Sequence, residues 1–421
     1  MVSIRPVDKA LIPIDQSAAE AIFAPNYDEF QSDDEVFAEL RERPDNVLKV
    51  TMPHVAVPSA SLYLEEGSDE ALRAAAVNMR HLIEHVQTKT LEDVLFVYAI
   101  TSDHGDHYRQ IGLGGFAKTS EIRTDETPEG CIIRNEGIRP EKAEGRAKLI
   151  EATRSYIGIV NCVVPDESGE MLRALEEFAD VDGHAYHANT GNGETHHIWF
   201  AEGEDAERLS GLLAKQKAAY VADGNHRSAA AAALGKEDFL AVFFTADRMN
   251  LAPYNRLVPD VGVPGGELKA KLAESFDVSP APESPYAPKQ VGDVGLYVGD
   301  GQGGGEWLKL TAKPGTFDAE DAAASIDAAV VQKCLFDAAL GITDPKDKRL
   351  NFVGGNKDAA WLQSRVDAGD YALAVSLAPV TMDQFMAVCE QNRFMPPKST
   401  WFVPKIRSGL VMALLDEEAK S

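Results

Sequence analysis

Ala219-Tyr220-Val221-Ala222-Asp223-Gly224-Asn225-His226-Arg227-Ser228, running on into Ala229 to Ala233, is the most informative stretch of the chain. It spells a short apolar strand, a glycine turn and an alanine-rich helix. Gly224 suits the positive φ that a tight strand-to-helix turn demands. The first amides of a helix lack internal acceptors and carry the positive end of its dipole. His226 and Arg227 stand in that first turn, an unfavourable place for cations unless an anion joins them. A phosphate there would satisfy the amides and pair with the guanidinium. An ordinary turn whose Arg227 meets a surface carboxylate fits the same residues, and the stretch alone leaves both readings open.

Outward from this turn, helical and strand patterns alternate. Asp69 to Thr88 carries an apolar stripe at helical spacing (Leu72, Ala75, Ala76, Met79, Leu82, Ile83, Val86). Val94 to Ile100 reads as a buried strand, Cys131 to Arg134 as a short one, and Tyr156 to Val164 as another. Helices are expected over 141–152, 171–179 and 206–217, with a strand at His196 to Phe200. Proline-rich Val278 to Val291 reads as a connector. Gly295 to Val298 and Trp307 to Thr311 flank a glycine-rich hairpin tip, followed by a helix at 326–340, a strand at 371–377 and a helix at 382–391. The alternation predicts a mixed α/β fold.

The chain has 421 residues, enough for two or three domains. Lys and Arg number 41 against 67 Asp and Glu, a formal net charge of −26. Such a field repels nucleic acid and anionic membranes, and no basic run relieves it. No stretch reaches membrane-spanning length. Cys131, Cys162, Cys334 and Cys389 form no CxxC pair, which points to thiols in a reducing compartment. No signal-peptide pattern opens the chain, so the expected location is the cytoplasm.

Other motifs compete for attention. His81-Leu82-Ile83-Glu84-His85 matches the H-x-x-E-H pattern of inverted zinc peptidases, with Glu151 among many conceivable third ligands. A polar helix edge explains it more economically. His104, His107, His184, His187, His196 and His197 read mostly as solvated loop residues. Gly112-Leu113-Gly114-Gly115 lacks the helix and later acidic residue of a dinucleotide loop. Arg134-Asn135-Glu136-Gly137-Ile138-Arg139-Pro140-Glu141-Lys142 offers a carboxylate at a strand exit, the position of a general base, or a solvated loop of alternating charge. Met395-Pro396-Pro397-Lys398-Ser399-Thr400-Trp401-Phe402-Val403-Pro404-Lys405 offers a cation and two hydroxyls on a stiff segment, or a rigid surface connection.

Taken together, Ala222 to Arg227, Asn135 to Lys142 with Gly145-Arg146, Pro253-Tyr254-Asn255-Arg256-Leu257-Val258, Met395 to Lys405 and Tyr27-Asp28 resemble the motifs of domain-of-unknown-function family 1015. Through its Asp-Gly-His-His-Arg segment that family is similar to the ParB and sulfiredoxin-like superfamily, which includes free serine kinases. The resemblance implies a ParB/sulfiredoxin-like nucleotide-binding core at 129–265, between mixed α/β regions at 1–128 and 266–421. It implies that Asp223, Gly224, Asn225, His226, Arg227 and Ser228 hold nucleotide phosphates. Glu136 would be the base, with His226 and Arg227 as its catalytic companions. Arg256, Lys398, Ser399 and Thr400 would bind the substrate.

Asn135, Asn225 and Asn255 stand where the family usually has histidine. Asparagine exchanges hydrogen bonds but carries no proton near neutral pH. Sulfinic acid repair needs a cysteine where Asn225 stands, and the charge opposes ParB-like DNA binding. The implied activity is transfer of a phosphoryl group from ATP or ADP, with Mg²⁺ and Asp223 as a conceivable ligand, to a small hydroxyl compound such as free serine. A non-catalytic nucleotide or phosphometabolite binder is the alternative, and a zinc peptidase a more distant one.

Overall fold

The computed structural model describes every residue except 86, 103–107, 109, 184, 261, 263, 264 and 417–421. His104, His107, His184 and Val86, singled out in the sequence, lie outside the described residues. Contacts group the chain into two compact units. The first joins Met1–Arg134, Ile138–Met249 and Pro404–Ser421; the second joins Asn135–Gly137 and Asn250–Val403. The fold is mixed α/β, as the alternation of elements requires.

An eleven-stranded sheet forms the first unit. Its order runs Ile132–Arg134, Ala219–Asp223, Val160–Val164, Asp238–Thr245, Gln110–Lys118, Thr88–Ser102, Val7–Pro13, Met412–Leu414 and Ser155–Tyr156. Glu194–Ala201 and Tyr186–Asn189 branch from Thr88–Ser102. Two pairings are parallel, Asp238–Thr245 with Val160–Val164 and Ile132–Arg134 with Ala219–Asp223; the other ladders are antiparallel. Thr88–Ser102 serves three partners: 88–94 pair with Val7–Pro13, 95–102 with Glu194–Ala201 and 96–100 with Gln110–Lys118. Asp93, with φ of 53°, sits where the partner changes.

The glycines of Gln110–Lys118 have a packing cause. A Cβ at Gly114 would lie 2.0 Å from the Phe96 ring, and one at Gly112 would lie 2.5 Å from the Phe243 carbonyl oxygen. The segment is therefore a buried central strand rather than a phosphate loop, and the rings of its neighbours fill the room that side chains would take. Helix Asp69–Glu84 begins where the Ser68 hydroxyl accepts the Ala71 N–H, with Asp69 and Glu70 in its first turn. Ala71, Ala75, Met79 and Leu82 face inward at spacings of four, four and three. Helix Pro140–Thr153 packs against it and against helix Asn225–Ala233.

In the second unit six antiparallel strands run in the order Phe276–Pro280, Gly305–Ala312, Asp293–Gly299, Leu373–Leu377, Asn255–Val258 and Asn351–Val353. The start of the proline-rich stretch is thus an edge strand, where the missing N–H of proline is tolerated. The expected hairpin is present, closing at Gly299 opposite Gly305. The helix expected at 326–340 is α-helical over Asp327–Val331 and π-helical over Gln332–Ala339. Asn250–Ala252 pairs with Trp401–Val403. Among the described residues no helix is long and apolar enough to cross a membrane.

Candidate functional site

Strand Ala219–Asp223 ends at Gly224, whose φ of 104° turns the chain into helix Asn225–Ala233. The amides of Arg227 and Ser228 both close on the Gly224 carbonyl, at 2.9 and 3.0 Å. The cradle of amides expected across Gly224 to Ser228 therefore narrows, and the Arg227 side chain becomes the chief donor of the turn. Ser228 is buried, its hydroxyl donating to the Asn225 carbonyl at 3.0 Å. The Arg139 backbone N–H donates to His226 Nε2 at 3.1 Å, so that nitrogen acts as an acceptor.

The Arg227 guanidinium is held on several sides. Nη1 donates to the Ile159 carbonyl, and Nη2 meets Asp223 Oδ1 at 3.0 Å. A Cβ at Gly158 would lie 3.1 Å from Arg227 Cδ and Nη1, and one at Gly224 would lie 3.0 Å from Nε. The bareness of both glycines gives the arginine its berth. Asp223 Oδ2 meets Lys405 Nζ at 2.9 Å. Both carboxylate oxygens thus face cations, an arrangement that does not fit a Mg²⁺ ligand.

Arg227 and Asp223 open onto a cleft of about 80 Å³, whose lining includes Tyr27, Arg146, Leu149, Ile157 and Phe239. The Arg146 guanidinium lies over the Tyr27 ring, 4.6 Å from its centre. Tyr27, Thr51, Arg146 and Leu149 also line a wider space of about 390 Å³ that reaches Glu66, Lys142 and Lys148. Burial raises the pKa of Tyr156, on the cleft wall, aided by Asp238, which leaves a neutral phenol there. Burial likewise raises the Cys162 thiol, with Arg227 pulling the other way.

The second unit gathers a different set. Glu136 bridges to Met395 as a parallel pair, and the Met395 N–H donates to the Asn135 carbonyl at 3.0 Å. Asn135 Nδ2 donates to Thr400 Oγ1 at 3.3 Å. Arg256 is buried, donating to the carbonyls of Tyr254 (2.8 Å), Asn255 (3.2 Å) and Pro397 (3.4 Å) and lying 4.4 Å from the Phe352 ring centre. Burial pulls its pKa down to about 10, against the opposing pull of Tyr254 and Glu136. Lys398, at φ 59°, holds Nζ 5.3 Å from the Tyr254 ring centre. The Ser399 hydroxyl donates to the Pro396 carbonyl at 2.7 Å. Asn255 Oδ1 accepts the Leu377 N–H at 3.0 Å. Asn135 and Asn255 thus use their carboxamides to fix the fold locally.

The H-x-x-E-H motif lies at an exposed helix end. His81 and His85 have ring centres 5.1 Å apart, and His85 Nε2 lies 3.6 Å from Glu84 Oε2. Among the described residues no group of three or more His, Cys, Asp or Glu is placed to hold a metal ion. Lys405, Gly158 and Ile159 escaped the sequence reading as parts of the turn. Lys405 closes the terminal motif, but its partner Asp223 is 182 residues away.

The first unit is a mixed-sheet α/β body with a cationic cleft at a strand-to-helix turn. The chain matches the model of the family described as "Protein of unknown function (DUF1015)" over residues 4–334, and it belongs to that family. No curated protein matches the sequence. Among solved structures it is similar to SbnI with C-terminal truncation from Staphylococcus aureus, at 12% identity over 72% of this chain and 87% of that one, with a TM-score of 0.38. It is similar at 12% identity to a free serine kinase in complex with AMP, over 70% of this chain and 92% of that one, TM-score 0.38. A conserved hypothetical protein from Pyrococcus furiosus matches at 12% identity over 70% and 95%, TM-score 0.37. Likeness at that level transfers no chemistry.

Proposed function

We propose that the protein is a phosphotransferase that moves a phosphoryl group from ATP or ADP to a small hydroxyl compound, with free serine the first to try. One observation carries the reading: Tyr27, Arg146, Asp223 and Arg227, from separate family-like motifs, meet on one cleft. Two guanidiniums line that cleft in a chain of net charge −26. A local cationic site against so acidic a background favours an anion with several oxygens. Phosphoryl transfer asks a protein chiefly for positioning and charge stabilisation. Arg227 and Arg146 serve the phosphate charge, and His226 stays in the turn as the acceptor of the Arg139 N–H. Glu136 takes the hydroxyl proton of the substrate, the role its resemblance implies. Lys398, Ser399, Thr400 and Arg256 shape the segment beside Glu136.

A non-catalytic nucleotide or phosphometabolite binder is the second reading. It is favoured by the structural use of the Asn135 and Asn255 carboxamides, which move no proton. Turnover separates the two. Purified protein incubated with ATP or ADP and serine yields phosphoserine by phosphorus NMR, and Glu136→Gln abolishes the product while nucleotide binding persists. Nucleotide binding without transfer to serine or other hydroxyl compounds, and unaltered in Glu136→Gln, establishes the binder. Absence of binding to nucleotides and to other phosphorylated metabolites overturns both.

A further inference from the structure

An ion chain runs inward from the cleft, and its buried end has no role so far. Lys405 Nζ meets Asp223 Oδ2 at 2.9 Å, and Asp223 Oδ1 meets Arg227 Nη2 at 3.0 Å. Lys405 is nearly buried, with 9% of its side chain exposed, against 22% for Asp223 and 20% for Arg227. Lys405 does not line the cleft, whereas Asp223, Arg227 and Arg146 do. A lysine so deeply placed carries a desolvation cost that surface pairs avoid, so its position needs a reason.

Charge accounting supplies one. Arg227 with Asp223 alone is a neutral pair, which has little attraction for an oxyanion. Lys405 restores one positive charge to the triad without occupying the cleft. It also shares the carboxylate, so Asp223 orients Arg227 through one oxygen rather than closing on it with two. We infer that Lys405 is a positioning residue that keeps Arg227 available to a phosphate by neutralising Asp223 from behind. This assignment rests on the nucleotide reading and adds to it a residue outside the turn.

The test measures binding of ADP and of inorganic pyrophosphate to the full chain by calorimetry. The variants are Lys405→Met, Lys405→Arg, Asp223→Asn and the double Asp223→Asn/Lys405→Met, each checked for folding by circular dichroism. Lys405→Met is expected to bind about tenfold more weakly, the scale of one lost charge-assisted contact. Lys405→Arg keeps the charge and holds affinity within about threefold. The double variant removes a cation and an anion together, so it binds more tightly than Lys405→Met alone. A merely structural lysine leaves the affinity of the folded variants unchanged and lowers only their stability. Should Lys405→Met not fold, Lys405→Gln takes its place: about tenfold weaker binding supports the assignment, and wild-type affinity counts against it. Wild type that binds neither probe overturns the nucleotide reading and this assignment with it. Wild type that binds, beside a folded Lys405→Met that binds equally well or a double variant weaker than the single, overturns only the role of Lys405.

Discussion

At the scale of single residues, the turn is where sequence and structure speak most directly to each other. Gly224 is readable because a strand, a glycine and an alanine run are all local signals, and its φ of 104° is the conformation that glycine alone adopts cheaply. Gly158 is not readable in that way, since its need for a bare Cα comes from Arg227, 69 residues later. Gly158→Ala places a methyl 3.1 Å from Arg227 Cδ and Nη1. The guanidinium must then rotate off its preferred geometry at about 1 kcal/mol, so affinity for ADP falls roughly fivefold. Thermal stability should change little, and calorimetric binding beside a melting curve checks both. Lys405 was equally hidden: no local pattern announces a partner 182 residues distant.

At the scale of elements, apolar periodicity located helices well and left two central strands unassigned. Helix Asp69–Glu84 was legible because its inward residues repeat at helical spacing. Gln110–Lys118 was not, because glycine argues for loops until neighbouring rings are known to need the space. Strand Asp238–Thr245, buried along its whole length beside it, went unread although Phe239 to Phe244 is a continuous apolar run. The short helix Asp327–Val331 supplies a prediction of its own. Burial raises the Asp327 carboxyl to about 6, outweighing the N–H of Gly292 that it accepts at 2.9 Å. The folded form therefore holds a proton that the unfolded form, near 3.8, has released. The associated stability is full below about pH 3.8 and is lost as pH rises through about 6. Asp327→Asn keeps the acceptor and removes the charge, so it stabilises the protein at pH 7 by about 1 to 3 kcal/mol. Urea denaturation at pH 7 and at pH 4 should show that advantage shrinking toward the acid end; a gain independent of pH contradicts it.

At the scale of the whole molecule, charge and connectivity matter more than any motif. A net charge of −26 makes the folded chain repel itself. Raising NaCl from about 0.01 to about 1 M shortens the screening length from about 30 to about 3 Å. The melting temperature is expected to climb over that range, and a fall would show that attractive ion pairs dominate. Composition revealed this repulsion at once, whereas connectivity was invisible, because pairing partners far apart in sequence leave no local trace. Met412–Leu414 takes its place between Val7–Pro13 and Ser155–Tyr156. During translation those two strands wait with open backbone edges, which are sticky templates for other chains. The entire 250–403 stretch of the second unit leaves the ribosome in the interval. A product truncated before residue 404 would keep the Gly224 turn but lack both the strand that joins those two edges and Lys405, the partner of Asp223.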